Sequence, residues 1–160
     1  MRKRFTCYTI PHVMQFLNTA NIVQQPTKVF IHVGTNDVET KKEPQLRKEV
    51  DNMIQLLRNT FPDARIFLSS IFVRKQKEDS LNNIIRTMNQ YLEDFCDRTQ
   101  RYTFMDNACI SHNNMQDAKH VNPAGLHQFI TNIRLAVFGE RVNSSRRRGY
   151  RWGTFTTVSK

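Results

Sequence analysis

Residues Val29–Val38 read VFIHVGTNDV. A near-continuous apolar run, KVFIHV (28–33), ends abruptly on Gly-Thr-Asn-Asp. A short run of this kind is expected of a strand buried on both faces of a parallel sheet. Gly34 allows a positive φ or a close backbone approach. Asn36 offers a side-chain amide that donates to an oxygen. Where a strand ends is where such a sheet keeps its chemistry.

Strand and helix signals alternate outward from this point. RFTCYTI (4–10) is rich in β-formers and stops at Pro11, and HVMQFLNTA then reads as a short helix. After VFIHV, Leu46, Val50, Met53, Ile54 and Leu57 recur at helical spacing within a helix expected from about Pro44 to Thr60. RIFLSSIFV (65–73) is a second buried strand. A helix beginning near Asp79 or Ser80 carries Leu81, Ile84, Ile85, Met88, Leu92 and Phe95. RYTFMD (101–106) is a third strand. In the last helix Asn122 stands at the cap, Pro123 at the first helical position and Gly139 at the end. The alternation predicts an α/β chain, a three-layer α/β/α sandwich about a parallel sheet.

The chain has 160 residues, the size of one domain, with ordinary globular composition. No apolar run approaches the roughly 18–20 residues of a membrane span. Cys7, Cys96 and Cys109 have neither disulfide nor zinc spacing. They read as reduced, buried thiols of an intracellular protein, cytoplasmic or nuclear. The formal charge of +10 is concentrated at the ends: Arg2–Arg4 at one, and Arg141, Arg146–Arg148, Arg151 and Lys160 at the other. Residues 140–160 are read as a basic tail, suited to nucleic acid or an acidic partner, or else simply solvated. Trp152 and Tyr150 among those arginines add rings that can stack on bases.

The second chemical stretch is QDAKHVNPAGLHQF (116–129). Asp117 and His120 are three residues apart, just before a well-marked helix. In one turn the carboxylate can accept from one ring nitrogen and leave the other as a base. That is two-thirds of a Ser-His-Asp relay. Asn36 would then donate to an oxyanion, a contact whose removal typically costs about 2.7–4 kcal/mol. Either piece alone has a plain structural reading, a capping Asp or an Asx turn. Together, at the ends of αβ units, they are far more specific.

At these residues the sequence resembles the SGNH hydrolases, the GDSL-type esterases and lipases. VFIHVGTND is similar to their Gly-x-Asn-Asp block, at Gly34, Asn36 and Asp37. DAKHVNPAG is similar to their Asp-x-x-His block, at Asp117 and His120. The nearest variety is the esterase-like domain of non-LTR retrotransposon and related viral or host proteins. The resemblance spans residues 5–139. It implies a flavodoxin-like sandwich and serine-based hydrolysis of acyl or acetyl esters, with no metal and no cofactor. His120 would be the base, Asp117 its partner, Asn36 the oxyanion donor, and Gly34 the residue shaping the loop that presents Asn36.

Two blocks are missing. No Gly-Asp-Ser occurs, so no nucleophile is identified, and no glycine follows CYTI where an oxyanion amide belongs. Ser69 and Ser70 end a strand on the edge shared with Asn36, and their simpler role is bonding nearby backbone. Ser80 reads as a cap. The expectation is an N-terminally incomplete domain lacking the first strand, weakly active or inactive alone. The alternative is a catalytically dead module of the same fold, tethered through residues 140–160. A nucleotide-binding protein would need a glycine-rich phosphate loop, which is absent. His32 reads as a satisfied core histidine. Arg74 could reach the pocket mouth, but a solvated arginine beside Lys75 and Lys77 is the plainer reading. Oligomeric state is not legible.

Overall fold

The computed structural model describes residues 7–75 and 79–139. In chain order these form α1 (Ile10–Thr19), β1 (Lys28–Ile31), α2 (Asp37–Thr40), α3 (Glu43–Thr60), β2 (Arg65–Ser69), α4 (Asp79–Asp97), β3 (Tyr102–Met105) and α5 (Pro123–Phe138), with a 3-10 turn at His112–Asn114 before the last helix. The three strands are parallel in the order β1-β2-β3. Among the described residues no helix is long and apolar enough to cross a membrane.

The strand alternation sorts two cores. Val29, Ile31, Ile66 and Leu68 join an aliphatic core with Val13 of α1, Leu46, Val50, Met53 and Leu57 of α3, and Ile85, Met88 and Leu92 of α4. Phe30, Phe67 and Met105 point to the other face, against Phe129, Ile133 and Val137 of α5. Helices therefore cover both faces, as the alternation predicts. The helical stripe of α3 is buried at all five expected positions. α5 starts as read: the Asn122 side chain accepts from the Gly125 amide, Pro123 occupies the first turn, and Gly139 ends the helix at φ 68°.

The first segment differs from expectation. Residues 7–9 are not strand, and the helix begins at Ile10, ahead of Pro11. Thr9 has extended backbone and its hydroxyl accepts from the His12 amide, so it caps α1. The β-forming residues before Pro11 lead into a helix whose first turn tolerates proline. Residues 4–6 and the basic tail lie outside the described residues.

β2 also ends sooner than read, at Ser69. Residues 71–74 continue toward α4, where two asparagines replace a neighbouring strand. Asn89 accepts from the Ile71 amide at 2.8 Å and donates to the Ile71 carbonyl at 2.9 Å. Asn82 does the same for Arg74, at 2.8 and 3.2 Å. Buried backbone groups that leave a sheet need such partners.

Candidate active site

Gly34 follows β1 with φ 105°, a conformation that side chains disfavour. A Cβ there would lie 2.8 Å from Ile71 Cδ1, so a side chain at this position would strain the backbone and displace the tip of Ile71, just beyond β2.

Asn36 stands at the N-terminus of α2 but makes no side-chain capping bond. Its amide nitrogen instead donates to the Tyr8 carbonyl at 3.0 Å, and its amide oxygen accepts from Lys119 Nζ at 3.4 Å. Asp37 is fully buried. One of its oxygens accepts from the Ile10 amide at 3.0 Å, and the other pairs with Lys41 at 2.6 Å. The turn is thus tied to the start of α1.

Asp117 and His120 come together in the loop before α5. His120 Nδ1 lies 2.7 Å from Asp117 Oδ2, and the backbone amides of Lys119 and His120 each donate to Asp117 Oδ1 at 2.8 Å. These backbone bonds, chiefly that from Lys119, and the imidazole hold the Asp117 carboxyl well below the usual carboxylate range. With Nδ1–H donated to the carboxylate, Nε2 is the nitrogen left to accept a proton.

Two residues that sequence reasoning did not place in the site connect its halves. Lys119 lies between Asp117 and His120 and reaches both Asn36 and Glu39 Oε2, the latter at 3.2 Å. Glu39, on α2, also pairs through Oε1 with Arg74 at 3.1 Å. No local signal marks Glu39. Lys119 carries only the hint of its position inside Asp-x-x-His.

Arg74 corrects the plainer reading. It is not a solvated loop residue: its exposure is 1%. The residues after Ser69 turn inward under the grip of Asn82, which directs the side chain beneath the Gly34–Asn36 turn. There Nη2 donates to the Thr35 carbonyl. Burial lowers the Arg74 pKa, while Glu39 and Asp117 oppose that shift.

Among the described residues the serines offer no nucleophile at this centre. Ser69 Oγ lies 2.9 Å from His32 Nδ1 and accepts from Asn107 Nδ2 at 2.9 Å, all buried. Ser70 Oγ accepts from the Asn107 backbone amide. These hydroxyls serve a buried network on the α5 face, richer than the backbone contacts expected. Ser80 lies inside α4, and Ser111 caps the 3-10 turn. His32 is a satisfied core histidine, ringed by Phe72 and Phe129 at 4.7 and 4.8 Å. Cys7 and Cys96 are buried as read, but Cys109 is exposed.

No family model matches the chain, and no curated protein matches it. Solved structures do. A member of the lipolytic G-D-S-L family from Veillonella parvula aligns with 82% of this chain and 73% of its own, at TM-score 0.65 and 17% identity. A catalytic mutant of an acetylxylan esterase from Geobacillus stearothermophilus aligns with 85% of this chain and 70% of its own, at TM-score 0.66 and 18% identity. The esterase domain of the ORF1 protein from the zebrafish ZfL2-1 retrotransposon aligns with 66% of this chain and 69% of its own, at TM-score 0.55 and 24% identity. The parallel sheet, the helices on both its faces and these alignments give the chain the fold of the SGNH, or GDSL-type, esterases.

Proposed function

We propose that this chain carries the His–Asp–Asn portion of an ester hydrolase centre for acyl or acetyl esters. The observation that carries this reading is the 2.7 Å contact between His120 and Asp117, joined to Asn36 through one lysine. In the proposed reaction Nε2 of His120 takes the proton of a serine hydroxyl as that oxygen attacks the ester carbonyl. Asp117 holds the imidazole in the required tautomer and stabilises the imidazolium. Asn36 donates to the tetrahedral oxyanion. Collapse then expels the alcohol, protonated by His120, and water releases the acid by the same route in reverse. The attacking serine would come from a Gly-Asp-Ser block of the kind the SGNH hydrolases carry, which residues 1–160 lack. Esterase and acetylxylan esterase neighbours, and one from a retrotransposon protein, support this substrate class and this lineage.

Hydrolysis of p-nitrophenyl acetate tests the reading. The 160-residue chain should show no saturable turnover above its His120→Ala variant. Fusing a Gly-Asp-Ser strand ahead of residue 5 should create turnover that His120→Ala reduces by about 10⁶-fold. A folded fusion without turnover would overturn the hydrolase reading.

A second reading, a catalytically inert module tethered to nucleic acid, is favoured by the concentration of arginine in residues 140–160. It requires affinity for single-stranded nucleic acid that falls steeply with salt. That affinity would survive His120→Ala and disappear on deletion of residues 140–160.

A further inference from the structure

We infer that Arg74 is a positioning residue, which sets the direction of the Asn36 amide and ties it to the loop carrying Asp117 and His120. The inference rests on the hydrolase reading for its importance, but not for its test.

A buried guanidinium is costly, and partners offset that cost only when its nitrogens are well bonded. Arg74 is poorly served by this measure. Its exposure is 1%, yet Nε has no hydrogen-bond partner among the described residues. The bonds it does make converge on Nη2, to the Thr35 carbonyl and to Glu39. As a stability device such a residue is outperformed by an apolar side chain of similar volume. As a positioning device it is well placed.

The Thr35 carbonyl belongs to the peptide plane whose nitrogen is that of Asn36. Fixing that oxygen fixes the plane, and with it the direction in which the Asn36 side chain departs. Gly34 alone leaves the turn permissive, because glycine restricts neither φ nor ψ strongly. Glu39, held by the same nitrogen, extends the restraint to α2 and onward to Lys119. The main chain makes a parallel connection: the Lys75 amide donates to the Ala118 carbonyl at 3.2 Å, and Lys75 Nζ reaches the Met115 carbonyl at 3.4 Å. Arg74 itself is held at both backbone groups by Asn82. Three segments distant in sequence, 34–39, 74–75 and 115–120, therefore meet at this one side chain and its neighbour.

NMR of the 160-residue chain tests the inference without any turnover, so inactivity toward esters leaves the outcome readable. In the unsubstituted protein the Arg74 guanidinium protons should exchange with water at least about tenfold more slowly than those of exposed Arg86. Arg74→Met should keep the melting temperature within a few degrees, because Glu39 retains Lys119. The same variant should shift and broaden the Asn36 side-chain amide resonances and shift the His120 ring signals. Arg74→Lys should restore these only in part, since an ammonium lacks the planar fork. Millimolar ethylguanidinium should sharpen the Asn36 signals of Arg74→Ala, which a general loss of stability would not allow. Fast guanidinium exchange in the unsubstituted chain would overturn the inference. So would Asn36 and His120 signals unchanged in folded Arg74→Met. Should Arg74→Met fail to fold, the exchange measurement and Arg74→Lys decide.

Discussion

The two halves of the candidate centre are built in opposite ways. The Gly34–Asp37 turn is part of the core: Asp37 is fully buried, Gly34 is conformationally special, and the contacts of the turn reach α1, α2 and the segment beyond β2. The Asp117–His120 loop is local and open. Its side chains are 53% and 66% exposed, and Asp117 draws its bonds from residues two and three positions away. The Asn36 half is therefore made by the fold, and the His120 half by a short peptide. Damage to the buried Gly34 and Asp37 should register as lost stability, and damage to Asp117 or His120 should leave the fold intact.

The contrast is broken most severely at Asp37. Asp37→Ala leaves the buried Ile10 amide without its acceptor and Lys41 with one carboxylate fewer. A loss of about 3–4 kcal/mol in urea unfolding is expected. Acid should act next, through His32. Burial pushes its pKa down to about 4, against about 6.5 in an unfolded chain. The unfolded state then binds the proton first. Stability contributed by the neutral ring is complete above about pH 6.5 and falls as pH drops toward 4, by up to about 3 kcal/mol. His32→Gln should flatten that part of the stability–pH curve. Gly34→Ala combines backbone strain with the Ile71 contact and should cost about 2 kcal/mol. His120→Ala sharpens the contrast from the other side, with unfolding free energy unchanged within about 0.5 kcal/mol. In that variant the Asp117 carboxyl should still titrate below the usual range, because backbone bonds lead its shift. Carbon-13 titration of the carboxyl checks this.

The same division explains what could be read from the sequence. Asp117–His120 and the Asn122–Pro123 start of α5 are short-range patterns, and their geometry follows from three or four consecutive residues. The Gly34–Asn36 turn was legible as a turn because an apolar run that stops on glycine and asparagine marks the end of a buried strand. Arg74 was not, because the oxygen it binds is 39 positions away and its neighbours Lys75 and Lys77 suggest a solvated loop. Residues 7–9 misled for a different reason: strand propensity depends on context, and Thr9 serves here as the cap of α1 instead of as a strand residue. Ser69 showed its place on the strand end but not its buried partners His32 and Asn107, which only tertiary pairing brings near.

The two asparagines of α4 also act as a ruler. Asn82 and Asn89 are seven residues apart, about 10.5 Å along a helix at 1.5 Å per residue. The peptide groups they hold, at Ile71 and Arg74, are three residues apart, about 10 Å along extended chain at 3.3 Å per residue. Two full turns of one element thus measure three steps of another. A single residue inserted into α4 between them would rotate one amide by about 100° away from its backbone target. A residue added to a loop beside this junction leaves that match intact, whereas one added inside the helix destroys it.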